Sequence, residues 1–234
     1  MKTKLLLAGI ILALSFSARA TLYTYNYTSG FNNSGVIPDG NQGGWSDTRT
    51  ISGIPFLQPA DVDHTSTIVD VNVRLNISGG YNGDLYGYLV HSSGFTLLLN
   101  RIGRTSTDPF GNSGAGMNVT LDDQNGTDIH GASYTVLSGT YHPDGRQVDP
   151  ATVLDTDIRQ NSGNPLAAMN GLDANGTWTL FLSDTASGDT STLVSWGLDI
   201  EVVPEPTTWA LIVFGVIAVV ASLYRWLSRP MVTG

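Results

Sequence analysis

Nineteen acidic side chains and four histidines are the groups of residues 21–203 that could do chemistry, and their spacing decides which chemistry. Asp61-x-Asp63 precedes a strand-like run, Asp84 falls in a tight turn, and Asp184 and Asp189 flank a Gly/Ser loop. Oxygen ligands on loops suit calcium, which makes Asp84, Asp184 and Asp189 calcium candidates. Aspartate is equally a turn residue whose carboxylate bonds its own backbone, and both roles stay open. There is no EF-hand loop. His64, His91, His130 and His142 are scattered, with no His-x-x-x-His or His-Glu pair, so zinc is not indicated. His91 ends a strand, while His130 and His142 fall in polar loops and read as solvated. Nothing in the carboxylate spacing calls for a glycosidase pair. Absent too are a Gly-x-Ser-x-Gly elbow, a Gly-Thr-Ser nucleophile and an Asp-Thr-Gly motif. Tyr23, Tyr25, Tyr27, Tyr86 and Tyr88 could stack on sugar rings, although their alternation also suits strand packing.

Composition narrows the class. Residues 21–203 hold six arginines, no lysine and nineteen acids, a formal charge of −13. Such a surface repels phosphate backbones and argues against nucleic acid as a partner. The chain has no cysteine, so disulfides are not its staple and thiol chemistry is excluded. About 180 residues suit one domain with a sizeable core. Richness in Gly, Ser, Thr, Asn and Asp favours strands and turns over helices.

The strands can be read directly. Val69, Val71, Val73, Leu75 and Ile77 alternate with Asp70, Asn72, Arg74 and Asn76, a strand with one wet face. Residues 85–90 read as a second strand, mostly apolar on both faces, and residues 92–101 as a turn into a third. Trp178, Leu180 and Leu182 alternate with Thr177, Thr179 and Ser183, with Phe181 also on the second face. Trp196, Leu198, Ile200 and Val202 alternate with Ser195, Gly197, Asp199 and Glu201. Between them, residues 118–123 and 132–139 look like short strands among long loops. Residues 21–44 alternate early and then become a turn-rich lead-in. The expected fold is all-β, an antiparallel β-sandwich or jelly roll with residues 21–53 as lead-in strands and residues 54–203 as its body.

Two motif sets within this body carry a resemblance. Tyr81, Gly83, Asp84 and Leu85 form a tyrosine-x-Gly-Asp-Leu turn between two strands. Gly176-Thr177-Trp178 comes next, then a loop holding Asp184, Gly188 and Asp189, and then Leu193 and Ser195-Trp196 before the last strand. In that order they resemble the proprotein convertase P domain (P/Homo B) over residues 54–202. Many members carry a histidine before the turn, where this chain has Gly79-Gly80. The resemblance implies a jelly roll similar to galactose-binding domains. It also implies a module that usually follows a subtilisin-like protease and stabilises it, and some members bind calcium at loop aspartates. Residues 21–203 are too few to add a subtilisin domain, so a non-catalytic protein is expected.

The two ends point to export. Lys2 and Lys4, the apolar residues 5–16 and the small-x-small pattern Ala18-Arg19-Ala20 read as a signal peptide of residues 1–20, cut by signal peptidase. Residues 209–227 would span about 28 Å as a helix, close to the ~30 Å hydrocarbon core. Trp209, Tyr224 and Trp226 sit at its margins, and Arg225 and Arg229 fit the cytoplasmic side. Pro204-Glu205-Pro206 directly before it cannot extend a helix and stays reachable. Tripeptide, apolar helix and arginine cluster together resemble the PEP-CTERM sorting signal of Gram-negative bacteria, processed by an exosortase. The expectation is an exported, membrane-anchored precursor whose mature form is extracellular or at the cell surface, with a binding or exopolysaccharide-matrix role. The alternatives are an accessory domain docking on a separate secreted subtilisin-like protease, and a small jelly-roll hydrolase. No cofactor beyond calcium is implied.

Overall fold

The computed structural model describes residues 20–54, 67–124, 126–133, 135–203, 215–222 and 224. Within Ala20–Glu205, which form one unit, ten strands are described: β1 (Thr21–Tyr27), β2 (Asn41–Ile51), β3 (Thr67–Gly79), β4 (Leu85–His91), β5 (Gly94–Asn100), β6 (Met117–Leu121), β7 (Thr127–Asp128), β8 (Leu137–His142), β9 (Gly176–Asp184) and β10 (Ser191–Val203). One sheet runs β1-β10-β3-β6-β8-β7 and the other β2-β9-β4-β5. The two enclose a single apolar cluster, so the fold is a β-sandwich.

Period-two patterning places the core as expected. Val71, Val73, Leu75 and Ile77 of β3 are buried, as are Trp178, Leu180 and Leu182 of β9 and Trp196, Leu198, Ile200 and Val202 of β10. Each such side chain contributes roughly 1.5–3 kcal/mol on leaving water. At the start of β3, Ile68 rather than Val69 is buried. A bulge there, where Asp70 faces Glu201 but Ile68 faces Val202, shifts the alternation by one residue.

Two expectations need correction. The sheet is not purely antiparallel, because β6 and β7 both run parallel to β8. The strand expected at residues 132–139 begins only at Leu137, after the short 3₁₀ turn Ile129–Gly131. The lead-in strands expected over residues 21–53 are β1 and the eleven-residue β2, which starts inside the turn-rich stretch. Its inward positions include Asp47 and Arg49 besides Trp45 and Ile51, so hydrophobic alternation does not reveal it.

Those two polar residues tie the sheets together. Asp47 is buried and accepts from Trp196 Nε1 of β10 (2.6 Å) and from Arg49 Nε (2.7 Å). Arg49 also donates to Ser29 O (2.7 Å) and lies over the Tyr27 ring at 4.9 Å. Tyr27 in turn packs on Trp196 with centroids 4.9 Å apart. One carboxylate therefore joins the edge strand of the four-stranded sheet to β10, the second strand of the other.

At the C-terminal end, residues 215–222 and 224 are helical and exposed, in a unit separate from the sandwich. They are the only described part of the expected span 209–227. Among the described residues no helix is long and apolar enough to cross a membrane. Apart from Ala20, the residues expected to direct export (Ala18, Pro204, Glu205, Pro206, Arg225 and Arg229) lie outside the described set.

Asp47→Ala would leave the Arg49 guanidinium and the Trp196 indole N–H without their acceptor. It is expected to cost about 2–4 kcal/mol in urea unfolding, with Asp47→Asn costing less because it keeps an acceptor for Trp196.

Candidate functional site

The calcium candidates come together as charges rather than as a ligand cage. Asp84 closes the short 3₁₀ turn Asn82–Asp84 and receives Arg101 Nη2 at 3.3 Å. Asp184 ends β9 opposite Leu85, is buried, and accepts the Ala186 N–H at 3.3 Å. Its pKa is pushed up to about 6 by burial, then by the nearby carboxylates of Asp84, Asp39 and Asp189. Asp84 is also raised, first by burial and then by Asp189 and Asp39, while Arg101 opposes the shift. Asp39 accepts the Gly188 N–H at 3.1 and 3.2 Å, shaping the loop that carries the exposed Asp189. Among the described residues no three His, Asp or Glu side chains gather as a metal site. Asp61, Asp63 and His64 lie outside the described residues.

The Tyr81–Leu85 motif is a clamp. Asn82 is fully buried, its N–H donating to Gly114 O and its side-chain amide to Gly116 O. Gly83 N–H donates to Asn112 O, and Arg101 Nε donates back to Gly83 O. A Cβ on Gly83 would sit 2.2 Å from Phe110 O, so only glycine fits beneath the loop of residues 101–116.

His130 is not solvated but buried. Its Nδ1 faces Asp144 Oδ2 at 2.7 Å and its Nε2 faces Arg104 O at 2.8 Å. Burial pulls its pKa down, yet the hydrogen bond and charge of Asp144 outweigh burial, and the net shift is upward. A doubly protonated ring satisfies both acceptors, and neither nitrogen is free to act as a base. Asp144 also accepts from Asn100 N and Arg146 Nη1, and Arg146 Nη2 reaches Asp128 Oδ2 at 2.7 Å. This buried cluster holds the long connection after β8. His91 is buried as well, stacked on Trp178 at 3.9 Å, with its nitrogens facing Thr177 O and Asp173 O. His142 lies half-buried in β8.

The five tyrosines divide between the sheets. Tyr23, Tyr25 and Tyr27 pack against the core from β1, as strand packing requires. Tyr86 and Tyr88 point the other way, half-exposed on the outer face of the four-stranded sheet. Phe181 stacks on Tyr88 at 4.6 Å and 11°, and Phe95 packs on the other side of Tyr88 at 5.2 Å. Tyr86 meets Phe181 at 6.3 Å. Opposite Phe181 on β2 stands Ser46, too small to cover a ring. The result is an aromatic stripe outside the core.

A cleft of about 600 Å³ opens at one end of this stripe, between Tyr86 and Phe95 on one side and Gln147 to Pro150 on the other. Ser183 also lines it, and the Ser183 hydroxyl is buried with no hydrogen-bond partner among the described residues. Gly44 lets the β2 bulge close over Ser183, since a Cβ there would lie 2.8 Å from Ser183 Cβ. An apolar wall with a few polar groups and an orphaned hydroxyl is the usual form of a small-ligand site. Phe181 is visible in the sequence as an outward strand position, and Tyr86 and Tyr88 as alternating residues of a strand that reads as apolar on both faces. Ser183, Gln147 and Asp149 are not, because distant segments bring them together.

No protein-family model matches the sequence, and no curated protein matches it. Two similar solved structures concern a serine protease of Aeromonas sobria. Its complex with a chaperone aligns at 15% identity and a TM-score of 0.43, covering 80% of this chain and 28% of that one. The serine protease structure aligns at 16% identity and a TM-score of 0.41, covering 82% and 29%. The chain spans less than a third of the length of those proteins. Likeness at this level says nothing of function.

The raised Asp184 has a direct consequence. Between pH 3.8 and about 6 the folded protein binds the extra proton, so stability falls as pH rises through that window. Asp184→Asn keeps the acceptor for Ala186 and removes the charge. It is expected to raise the melting temperature at pH 8, by the equivalent of about 2 kcal/mol, and to flatten the slope between pH 4 and 6.

Proposed function

We propose that this is an exported, non-catalytic β-sandwich that binds a glycan along the stripe formed by Tyr86, Tyr88, Phe95 and Phe181. The observation that carries the reading is the stripe itself. Four aromatic rings cluster outside the core, beside a cleft floored by an unpartnered serine hydroxyl. Aromatic surfaces stack on the C–H faces of sugars, and buried hydroxyls seek polar partners. The sequence supplies the setting: signal peptidase removes residues 1–20, the apolar segment 209–227 anchors a precursor, and an exosortase acts at Pro204-Glu205-Pro206. The mature protein then serves at the cell surface or in an exopolysaccharide matrix. Mass spectrometry of both mature termini tests that setting, and an uncut chain recovered from the cytosol would defeat it. For the stripe, Tyr88→Ala and Phe181→Ala are each expected to weaken glycan binding roughly tenfold, about 1.4 kcal/mol, in titration calorimetry. Tyr88→Phe should keep most of the affinity, which separates stacking from loss of fold.

A second reading makes the chain a P-domain-like jelly roll that docks on or stabilises a separate secreted protease. It rests on the motifs at Tyr81–Leu85 and Gly176–Trp196. The two similar structures, of a serine protease, add no weight to it. Retention of a secreted subtilisin-like protease by the full-length chain, unaffected by Tyr88→Ala, would favour this reading over the first. Hydrolysis of model esters, peptides or glycosides would defeat both.

Calcium at Asp84, Asp184 and Asp189 is a separate proposal, supported by the mutual repulsion of these carboxylates with Asp39. A cation there would offset the carboxylate repulsion that adds to burial in raising Asp184. Calcium is expected to raise the melting temperature most above pH 6, and EDTA to reverse the gain; melts that coincide with and without calcium remove the metal.

A further inference from the structure

All six arginines of residues 21–203 lie among the described residues, and each is engaged. Arg49 pairs with Asp47, Arg74 with Asp199, Arg101 with Asp84, and Arg146 with Asp128 and Asp144. Arg104 donates to Val153 O and to Ala151 O, and Arg159 to Asp144 O and Pro143 O. None lines the cleft beside Tyr86, and among the described residues no histidine does. Among those residues the one charge in its wall is Asp149, whose Oδ1 accepts the Ala151 N–H at 2.8 Å, fixing the carboxylate at the rim. Its field reaches Tyr86, whose phenol is raised by burial first and then by Tyr88 and Asp149.

The cleft is also poorly suited to an extended peptide. Strand addition needs an open edge, and beside the cleft the edge of β5 is occupied. Asp144 N–H and Gly145 N–H donate to Leu98 O and Leu97 O, both at 3.0 Å. What remains is a site of aromatic rings, glutamine amides, a serine hydroxyl and one carboxylate.

Resting on the glycan-binding reading, we propose that this cleft takes saccharide units without acidic groups, favours an amino sugar over a neutral one, and turns away uronates. Asp149 would pair with a sugar ammonium, while an acidic sugar would meet a carboxylate and find no cation to offset it.

The test uses the full-length chain in EDTA at pH 6 and low salt. Calorimetry compares β-1,4-linked tetramers of glucosamine, glucose and glucuronate, which share linkage and differ in charge. The glucosamine tetramer is expected to bind about three- to fivefold more tightly than the glucose tetramer, the range of an exposed ion pair. The glucuronate tetramer should bind at least tenfold more weakly than the glucose tetramer. Asp149→Asn, which keeps the acceptor for Ala151, should bring glucosamine down to the glucose level. Glucuronate binding as tight as glucose, or a gap that survives Asp149→Asn, overturns the proposal. A parallel glycan array separates the two levels of inference. Hits confined to acidic glycans overturn the charge selectivity alone, whereas an array with no hits overturns the glycan reading beneath it.

Discussion

Positive charge is the scarce quantity in this sandwich, and its placement decides most of what the surface can do. Six arginines face nineteen acids over residues 21–203. A charge taken from water without a partner is expensive, so each arginine that leaves solvent must bring or find an acceptor. Arg49 joins the two sheets through Asp47 and Trp196. Arg101 fastens the Tyr81–Leu85 turn to the loop of residues 101–116. Arg104, Arg146 and Arg159 hold the connection between β8 and β9 against Asp144 and nearby carbonyls. Arg74 lies across the outer face of β10, where Gly197 leaves room for it; a Cβ there would be 2.7 Å from Arg74 Nη2. With the cations committed to architecture, the acidic end around Asp84 and Asp184 is left short of partners. Arg101 offsets part of the repulsion at Asp84 alone, and Asp184, raised first by burial, is raised further by the carboxylates of Asp84, Asp39 and Asp189.

The same distribution explains how much was legible in the sequence. Where the core-facing positions of a strand are apolar, period two exposes it: β3, β9 and β10 could be read almost residue by residue. Where the buried face holds Asp47 and Arg49, as in β2, the signal is cancelled by a pairing that only the fold reveals. His130 shows the limit in another form. A histidine in a polar stretch looks solvated until Asp144, fourteen residues on, is folded against it. The Tyr81–Leu85 motif was legible as a turn, but the reason for its glycine, Phe110 O pressing from a loop almost thirty residues away, was not. The candidate site divides in the same way. Its rings follow from outward strand positions, whereas its polar groups come from the β2 bulge and the connection after β8.

That connection links architecture to the site. Its buried ion pairs do no chemistry at the cleft, yet they fix the cleft's far wall. Asn100, fully buried at the end of β5, donates its side-chain amide to Arg146 O at 2.8 Å and to Val148 O at 3.1 Å. Asp144 and Gly145 are hydrogen-bonded onto β5 just before them. The wall therefore stands in place before any ligand arrives, and binding need not bear the entropy of ordering a loop. The floor is equally purposeful in its pattern. On one outer face, β2 presents Ser46, Thr48 and Thr50, and the neighbouring strands present Phe181, Tyr86, Tyr88 and Phe95. The core lies on the opposite side of the sheet and gains nothing from these rings. Strand propensity alone is served as well by threonine, as β2 shows. Four aromatics gathered beside a preformed wall offer the surface on which the proposed glycan would stack, and the arginines, committed to architecture elsewhere, leave that surface without a cation from among them.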